Sequence, residues 1–272
     1  MIKINHIYNS DCFEGMKLIN DKSINCIITD PPFNLTAYEW DKIINFDKLW
    51  TEYKRIIKEN GVIIIFGSQP FTSLLICSNL EWFKYEIIWI KHQATNPMFA
   101  KKGILKCHEN ICIFYKNQPT YNPQIEYDKP YSKFESRIGK KIGAAYNSIN
   151  SEHRNNPNGE RYPVSFLYYP NPNKNKYHPN QKPLDLIKYL IMTYTNENDL
   201  ILDNFMGGGQ TAIASRELNR NFIGFENNLE YYNKSVERLN NFNPNIYVEY
   251  NKSLDLNIKR SQQVKELESV FK

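Results

Sequence analysis

Two stretches of this chain hold residue types that could do chemistry together. The first is Asp30-Pro31-Pro32-Phe33, followed by Asn34. A carboxylate at the end of an apolar run can accept a hydrogen bond from an exocyclic amine. The two prolines stiffen the turn and leave nearby carbonyls without competing N–H partners. Phe33 offers a flat apolar face on which a ring can stack. An ordinary strand-ending turn would use the same residues. The second stretch runs Asp203-Asn204-Phe205-Met206-Gly207-Gly208-Gly209-Gln210-Thr211. Glycines let a backbone approach a ligand closely, and a helix opening there presents free N–H groups. Glu226 ends the next apolar run, where a nucleoside-binding α/β unit grips a ribose hydroxyl pair. Two further candidates are weaker. Asp11, ahead of Cys12 and Phe13, could reach the adenine amine of a ligand or serve as a helix N-cap. His178-Pro179-Asn180-Gln181-Lys182-Pro183 by itself is only a loop with helix-start chemistry.

These residues need elements to hold them. The runs 24–30, 61–67, 85–90 and 110–115 are β-branched and continuous rather than alternating, which predicts strands buried on both faces of a mostly parallel sheet. Between them, helical spacing covers 46–59, and 70–79 makes a shorter helix with proline in its first turn. Residues 117–176 lose this rhythm and read as an irregular insertion rich in Asn, Pro, Tyr, Lys and Ser. Alternation then returns, with helices over 184–194, 210–218 and 229–241 and strands over 200–203 and 221–226. One more helix is expected near 261–271. Strands alternating with helices make an α/β domain. The organisation expected is therefore 1–116 as the catalytic part, 117–176 as the insertion, 177–242 as the second α/β part and 243–272 as a tail.

Composition narrows the class. Hydrophobic residues make up 41% and charged residues 23%, with 14 Pro and 11 Gly, so a collagen-like, coiled-coil or wholly disordered chain is excluded. No apolar run approaches the roughly 20 residues needed to span a membrane. The amino terminus lacks a signal-peptide core, so a cytoplasmic protein is expected. Five cysteines without a CxxC pair argue against a disulfide framework or a metal site. The net charge of +5 is uneven along the chain. Residues 91–176 carry 14 basic and 6 acidic side chains and 8 of the 19 tyrosines, while both flanks are slightly acidic. Such a mixture suits contact with a polyanion and stacking on bases.

DPPF, then HPNQKP, then DNFMGGGQT with Glu226, in that order, resemble the β group of amino-DNA methyltransferases. The pieces Glu39-Trp40-Asp41, Trp89-Ile90-Lys91 and His108-Glu109 match as well, so the resemblance covers roughly residues 4–240. It implies a Rossmann-like mixed, mostly parallel sheet with helices on both faces and an irregular target-recognition insertion. It also implies S-adenosylmethionine as cofactor and double-stranded DNA as partner, and leaves room for a homodimer and a cognate restriction endonuclease. Asp30, Pro31, Pro32 and Phe33 would meet the target base, with Asp30 also beside the cofactor. Phe205, Gly207, Gly209 and Glu226 would hold the methionine and ribose parts, Asp11 and Cys12 the adenine. Asn180, Gln181 and Lys182 would form the loop closing over the cofactor. The sequence departs from the family pattern at Asn204 (usually Pro), Gly208 (Ser), Gln210 (Thr) and Asn180 (Thr), which bears on hydrogen bonding to the cofactor.

An adenine or cytosine amine is a poor nucleophile because its lone pair is delocalised into the ring. If Asp30 and the Pro31 carbonyl accept its two N–H bonds, the lone pair can point at the cofactor methyl for direct in-line transfer. The target base must first swing out of the duplex, and stacking on Phe33 would offset part of that cost. Lys101, Lys102, Lys106, Lys133, Arg137, Lys140, Lys141, Arg154 and Arg161 are the expected phosphate and base readers. Within the resembling family, aspartate before Pro-Pro goes more often with adenine N6, so adenine is expected, with cytosine N4 or a catalytically impaired DNA-binding relative as alternatives. Transfer to cytosine carbon 5 would need a nucleophilic Pro-Cys, which the chain lacks. A nicotinamide enzyme would have no use for DPPF, and the glycines here lack the GxGxxG spacing.

Overall fold

The computed structural model describes residues 2–35, 38, 41–133, 154–172 and 176–242. The expected 261–271 helix, Glu39, Trp40, Arg137, Lys140 and Lys141 lie outside them. In chain order, β1 (His6–Asn9) leads to α1 (Cys12–Met16), β2 (Ile24–Thr29), α2 (Phe46–Ile56), β3 (Ile57–Gly67) and α3 (Phe71–Ser78). Then come β4 (Phe83–Thr95) and β5 (Lys106–Phe114), followed by the short strands β6 (Glu126–Tyr127), β7 (Tyr131–Lys133), β8 (Arg154–Asn156) and β9 (Glu160–Arg161). The last part is β10 (Phe166–Tyr168), α4 (Leu184–Tyr194), β11 (Leu200–Asp203), α5 (Gln210–Glu217), β12 (Asn221–Glu226) and α6 (Leu229–Asn240).

Among the described residues, one eight-stranded sheet has the order β1-β12-β11-β2-β3-β5-β4-β10. All of its pairings are parallel except those of β5, which runs against β3 and β4. The period of two along β3 sends alternate residues to opposite faces. Ile63 and Ile65 pack with Leu49 and Tyr53 of α2 and with Phe71 of α3. Val62, Ile64 and Phe66 pack with Leu186, Leu190 and Ile191 of α4. The sheet is thus covered on both faces, which is the expected fold class. Its carboxyl edge carries the ends of β1, β2, β11 and β12, where ligands bind in open α/β sheets.

Three details differ from the sequence reading. The first long helix ends at Ile56 rather than at 59, because Ile57 already pairs with Ile24 across the sheet. β5 is buried and continuous as expected, yet antiparallel, since it follows β4 directly as a hairpin. Residues 166–168, read as part of the irregular stretch, form β10 beside β4. A three-residue strand is too short for periodicity to show.

Among the described residues, 123–133 and 154–163 belong to a separate smaller unit. In it, β6 pairs with β9 and β7 with β8, both antiparallel. Gly159 turns this unit at φ +69°, and a Cβ there would lie 1.8 Å from the Asp128 carbonyl oxygen, so the turn requires glycine.

Candidate active site

A cavity of about 370 Å³ opens at the carboxyl edge of the sheet. Asp11, Cys12, Asp30, Pro32, Asn180, Gln181, Lys182, Phe205, Gly207 and Glu226 all line it. Residues far apart in sequence therefore meet around one space of cofactor size. Among the sequence-predicted residues, Pro31, Phe33 and Gly209 stand outside its immediate wall.

The loop after β2 begins at Asp30. One carboxylate oxygen, Oδ2, accepts a hydrogen bond from the Lys182 ammonium. The other, Oδ1, is buried with no hydrogen-bond partner. Burial pushes Asp30 up to about 6, against the opposing pull of Lys182 and with a further push from Glu109. Phe33 packs on Phe71 with ring centroids 5.0 Å apart. Asn34, at φ +59°, then turns the chain, and Asp41 closes that turn by accepting the N–H groups of Asn34 and Leu35 at 2.7 and 2.9 Å. In the sequence Asp41 is only a flanking match, because its role depends on a loop closure that spacing alone does not reveal.

The loop after β11 is built differently. Asp203 accepts from Thr29 Oγ1 and Phe205 N at 3.1 Å each and from Thr211 Oγ1 at 2.6 Å. Burial nonetheless pushes it up to about 7. Gly207 at φ +52° and Gly209 at φ +79° carry the chain through left-handed turns into α5. Gly207 N donates to Glu226 Oε2 and Asn228 N to Glu226 Oε1, each at 2.8 Å. The acid after β12 is thereby held against the glycine loop, with its oxygens retaining lone pairs for a diol. Burial raises it above the usual carboxylate range, and the backbone N–H bonds oppose that.

Asp11 takes the N-cap role, accepting from Phe13 N at 2.9 Å and Glu14 N at 3.2 Å, and also stands on the cavity wall. Burial pushes the Cys12 thiol up to about 12, so it stays protonated and is no nucleophile. His178 stands over the glycine loop, edge-on to Tyr231 with centroids 4.3 Å apart. Burial, with Lys182 and Lys234 nearby, pushes it down to about 4, which leaves a neutral ring. Tyr53 donates to Asn204 Oδ1 at 2.6 Å, giving that departure from the family pattern a structural partner.

Two residues at this edge, Glu109 and Lys91, have no site role legible in the sequence. Glu109 on β5 pairs with Lys91 on β4, and its Oε2 lies 3.4 Å from Lys182 Nζ. Nothing in local spacing joins positions 30, 91, 109 and 182. Of the expected nucleic-acid readers, Lys101 and Lys102 are exposed in the turn between β4 and β5. Lys133 and Arg154 are paired in the backbone register of β7 and β8. Arg161 donates to the Lys129 carbonyl at 2.8 Å. Lys106 points inward, donating to Ser68 Oγ at 2.6 Å, because it sits within β5 rather than in the turn before it.

The residues fit a cofactor that combines a nucleoside with an amino acid. Gln210 Nε2 is a buried donor without a partner on the cavity wall, suited to a carboxylate. Asp30 Oδ1 is a second buried polar atom without a partner on that wall, an acceptor, and Glu226 keeps lone pairs free beside the glycine loop. Glycine loop, carboxylate after the next strand and a second carboxylate on the neighbouring strand define an α/β enzyme of group transfer from a nucleoside cofactor. A family model described as DNA methylase matches residues 24–237. The chain belongs to this N6/N4 DNA methylase family, and it is a DNA methyltransferase. It is 32% identical to the Type II methyltransferase M1.MboII of Moraxella bovis, over 88% of this chain and 98% of that protein. It is 29% identical to M.HpaI of Haemophilus parainfluenzae, over 85% and 72%. Among solved structures, the complex of M1.HpyAVI with SAM superposes with a TM-score of 0.59 at 27% identity, covering 86% of this chain and 99% of that one. The cytosine-N4-specific PvuII DNA methyltransferase superposes at 0.62 with 19% identity, over 93% and 95%, which reports on the fold alone. Among the described residues, no helix is long and apolar enough to cross a membrane.

Proposed function

We propose that this protein transfers the methyl group of S-adenosylmethionine to the N6 amine of adenine in double-stranded DNA, acting on a base turned out of the duplex. The observation that carries the reading is Asp30 Oδ1, a buried acceptor with no partner, on the wall of the cavity that the glycine loop and Glu226 also line. S-adenosylmethionine supplies an electrophilic methyl on a sulfonium. Glu226 holds the ribose hydroxyls, Gln210 and the glycine-loop N–H groups meet the methionine end, and Asp11 and Cys12 bound the adenine. Asp30 Oδ1 and the Pro31 carbonyl take the two amine hydrogens, which localises the nitrogen lone pair and aims it. With the cofactor bound, the amine would take its methyl, the C–S electron pair would remain with the leaving sulfur, and one amine proton would have to be accepted by the protein. A carboxyl pushed up to about 6 is a suitable acceptor for that proton. Phe33 provides the face for the flipped base.

Aspartate before Pro-Pro supports adenine over cytosine. The basic stretch at 91–176 supplies the phosphate contacts, with Lys101, Lys102, Lys133, Arg137, Lys140, Lys141, Arg154 and Arg161 as the readers. The Type II relatives support a role paired with a restriction endonuclease. The test incubates the purified protein with methyl-labelled cofactor and plasmid DNA, then digests the DNA to nucleosides. N6-methyldeoxyadenosine is expected. N4-methyldeoxycytidine would overturn the choice of base, and cofactor binding without any methylated nucleoside would leave a DNA-binding relative.

A further inference from the structure

Asp30 is the end of a chain of charges. Lys182, from the loop before α4, donates to Asp30 Oδ2 and stands 3.4 Å from Glu109 Oε2. Glu109, on β5, also accepts from Lys91 on β4. The side chains of Lys182 and Lys91 are each only 8% exposed. Apolar rings press on both ammonium groups: Phe66 and Phe33 lie 5.4 and 5.8 Å from Lys182, and Trp89 lies 4.9 Å from Lys91. Two cations and two carboxylates thus balance in a place where an unpaired charge is costly. The arrangement is asymmetric in a useful way, since Lys182 takes one Asp30 oxygen and leaves the other bare.

We propose that Lys182 is a positioning residue for methyl transfer: clamped between Asp30 and Glu109, with Glu109 fixed by Lys91, it orients the Asp30 carboxylate so that Oδ1 faces the target amine and keeps that carboxylate ionised. This deepens the function proposed above and rests on it for the identity of the amine. It also separates Lys182 from the cofactor-covering role that the HPNQKP resemblance implies. Electrostatics favour the same assignment. Burial raises Asp30 and Glu109 raises it further, while Lys182 and then Lys91 lower it. The other titratable groups facing this cluster include Asp203 on β11, which is itself raised by Asp30, Lys106 and His108 beside Glu109 on β5, and His178, which burial and then Lys182 lower. Lys182 is raised chiefly by its two carboxylates against burial, so it stays protonated while they titrate.

The signs of two substitutions are opposite. Glu109→Gln removes a negative charge without changing size, so Asp30 should titrate at lower pH. Lys182→Met removes the cation, so Asp30 should titrate higher by roughly one to three pH units, the range an adjacent opposite charge produces. Lys182→Arg keeps the charge and should restore most of the wild-type midpoint. The experiment follows the Asp30 carboxyl carbon by NMR against pH in the ligand-free full chain. In parallel it records the acid limb of kcat/KM, which reports the free enzyme. S-adenosylmethionine affinity, measured by calorimetry, should stay near wild type in Lys182→Met. Lost cofactor affinity with an unmoved midpoint would overturn the proposal and return Lys182 to the cofactor loop. Should Lys182→Met fail to fold, Glu109→Gln decides, because a midpoint that stays or rises overturns the clamp. Midpoints that move as stated in a protein that methylates no DNA would support the charge network and sink the assigned function. A methylating protein with unmoved midpoints would do the reverse.

Discussion

Two loops leave paired neighbouring strands, β2 and β11, at the same edge of the sheet, and each begins with an aspartate, Asp30 half-buried and Asp203 buried. Burial pushes both acids upward, Asp30 to about 6 and Asp203 to about 7. Their surroundings differ. Asp203 is bonded within the protein by Thr29, Phe205 N and Thr211, so its carboxylate ties the glycine loop to β2 and to α5. Asp30 has one lysine on one oxygen and nothing on the other. A buried polar atom left without a partner costs roughly 1–3 kcal/mol. The contrast teaches that an acid at a strand end is not by itself a reactive group. Satisfied, it builds a loop. Left open on a cavity wall, it awaits a ligand.

The comparison breaks most directly through Asp30→Ala. Losing a preorganised group at the reacting centre commonly costs 10²–10³-fold or more, so methyl transfer should fall by at least about 10²-fold. Cofactor affinity should change little, because the open oxygen serves the base. Substantial turnover in that variant would remove the distinction between the two loops. Glu226→Ala acts on the other loop and should show the opposite split. A hydrogen bond to a charged group contributes roughly 1.5–3 kcal/mol, so cofactor affinity should drop about 10- to 150-fold while transfer at saturating cofactor persists. Calorimetry beside single-turnover rates would expose any failure of that split.

Phe33→Ala should weaken the hold on a flipped base by about 1–3 kcal/mol, the contribution of one aromatic stacking platform, with Phe33→Tyr close to wild type. Fluorescence of a 2-aminopurine target would read this, and a damaging Tyr with a harmless Ala would rule out stacking. The last variant, Asp203→Asn, leaves the chemistry aside, and its effect is one of stability. An acid raised from 3.8 to about 7 on folding contributes stability present below its unfolded pKa and lost as pH rises through about 7. The amide does not titrate, so the variant should gain on wild type between pH 5 and pH 8 in urea unfolding. A difference that stays constant with pH would mean that Asp203 is not raised.

The sequence made the local units readable. The last strands coincide with the expected 200–203 and 221–226 because a loop with strong turn chemistry bounds each apolar run. The acids at their ends follow from the strand boundaries. Ile57 was misplaced because its helical spacing is sound and only the partner Ile24 makes it a strand residue. β10 and the Asp41 turn were missed because each is defined by a partner at a distance. The same holds for Glu109 and Lys91, whose sequence neighbours contain no sign of Asp30 or Lys182.

What the sequence determined alone was the inventory: which residue types end which strands, where glycines permit a tight turn into a helix, and where positive charge accumulates. Those properties are local, set by side-chain shape and backbone freedom over a few residues. The tertiary structure decided which of two similar aspartates is satisfied and which is open. It also decided that Lys182 meets Asp30, and that β4 and β5 deliver a second ion pair behind it. Such outcomes depend on hydrogen bonds and charges within about 4 Å of one another, and only the packed sheet brings those groups that close.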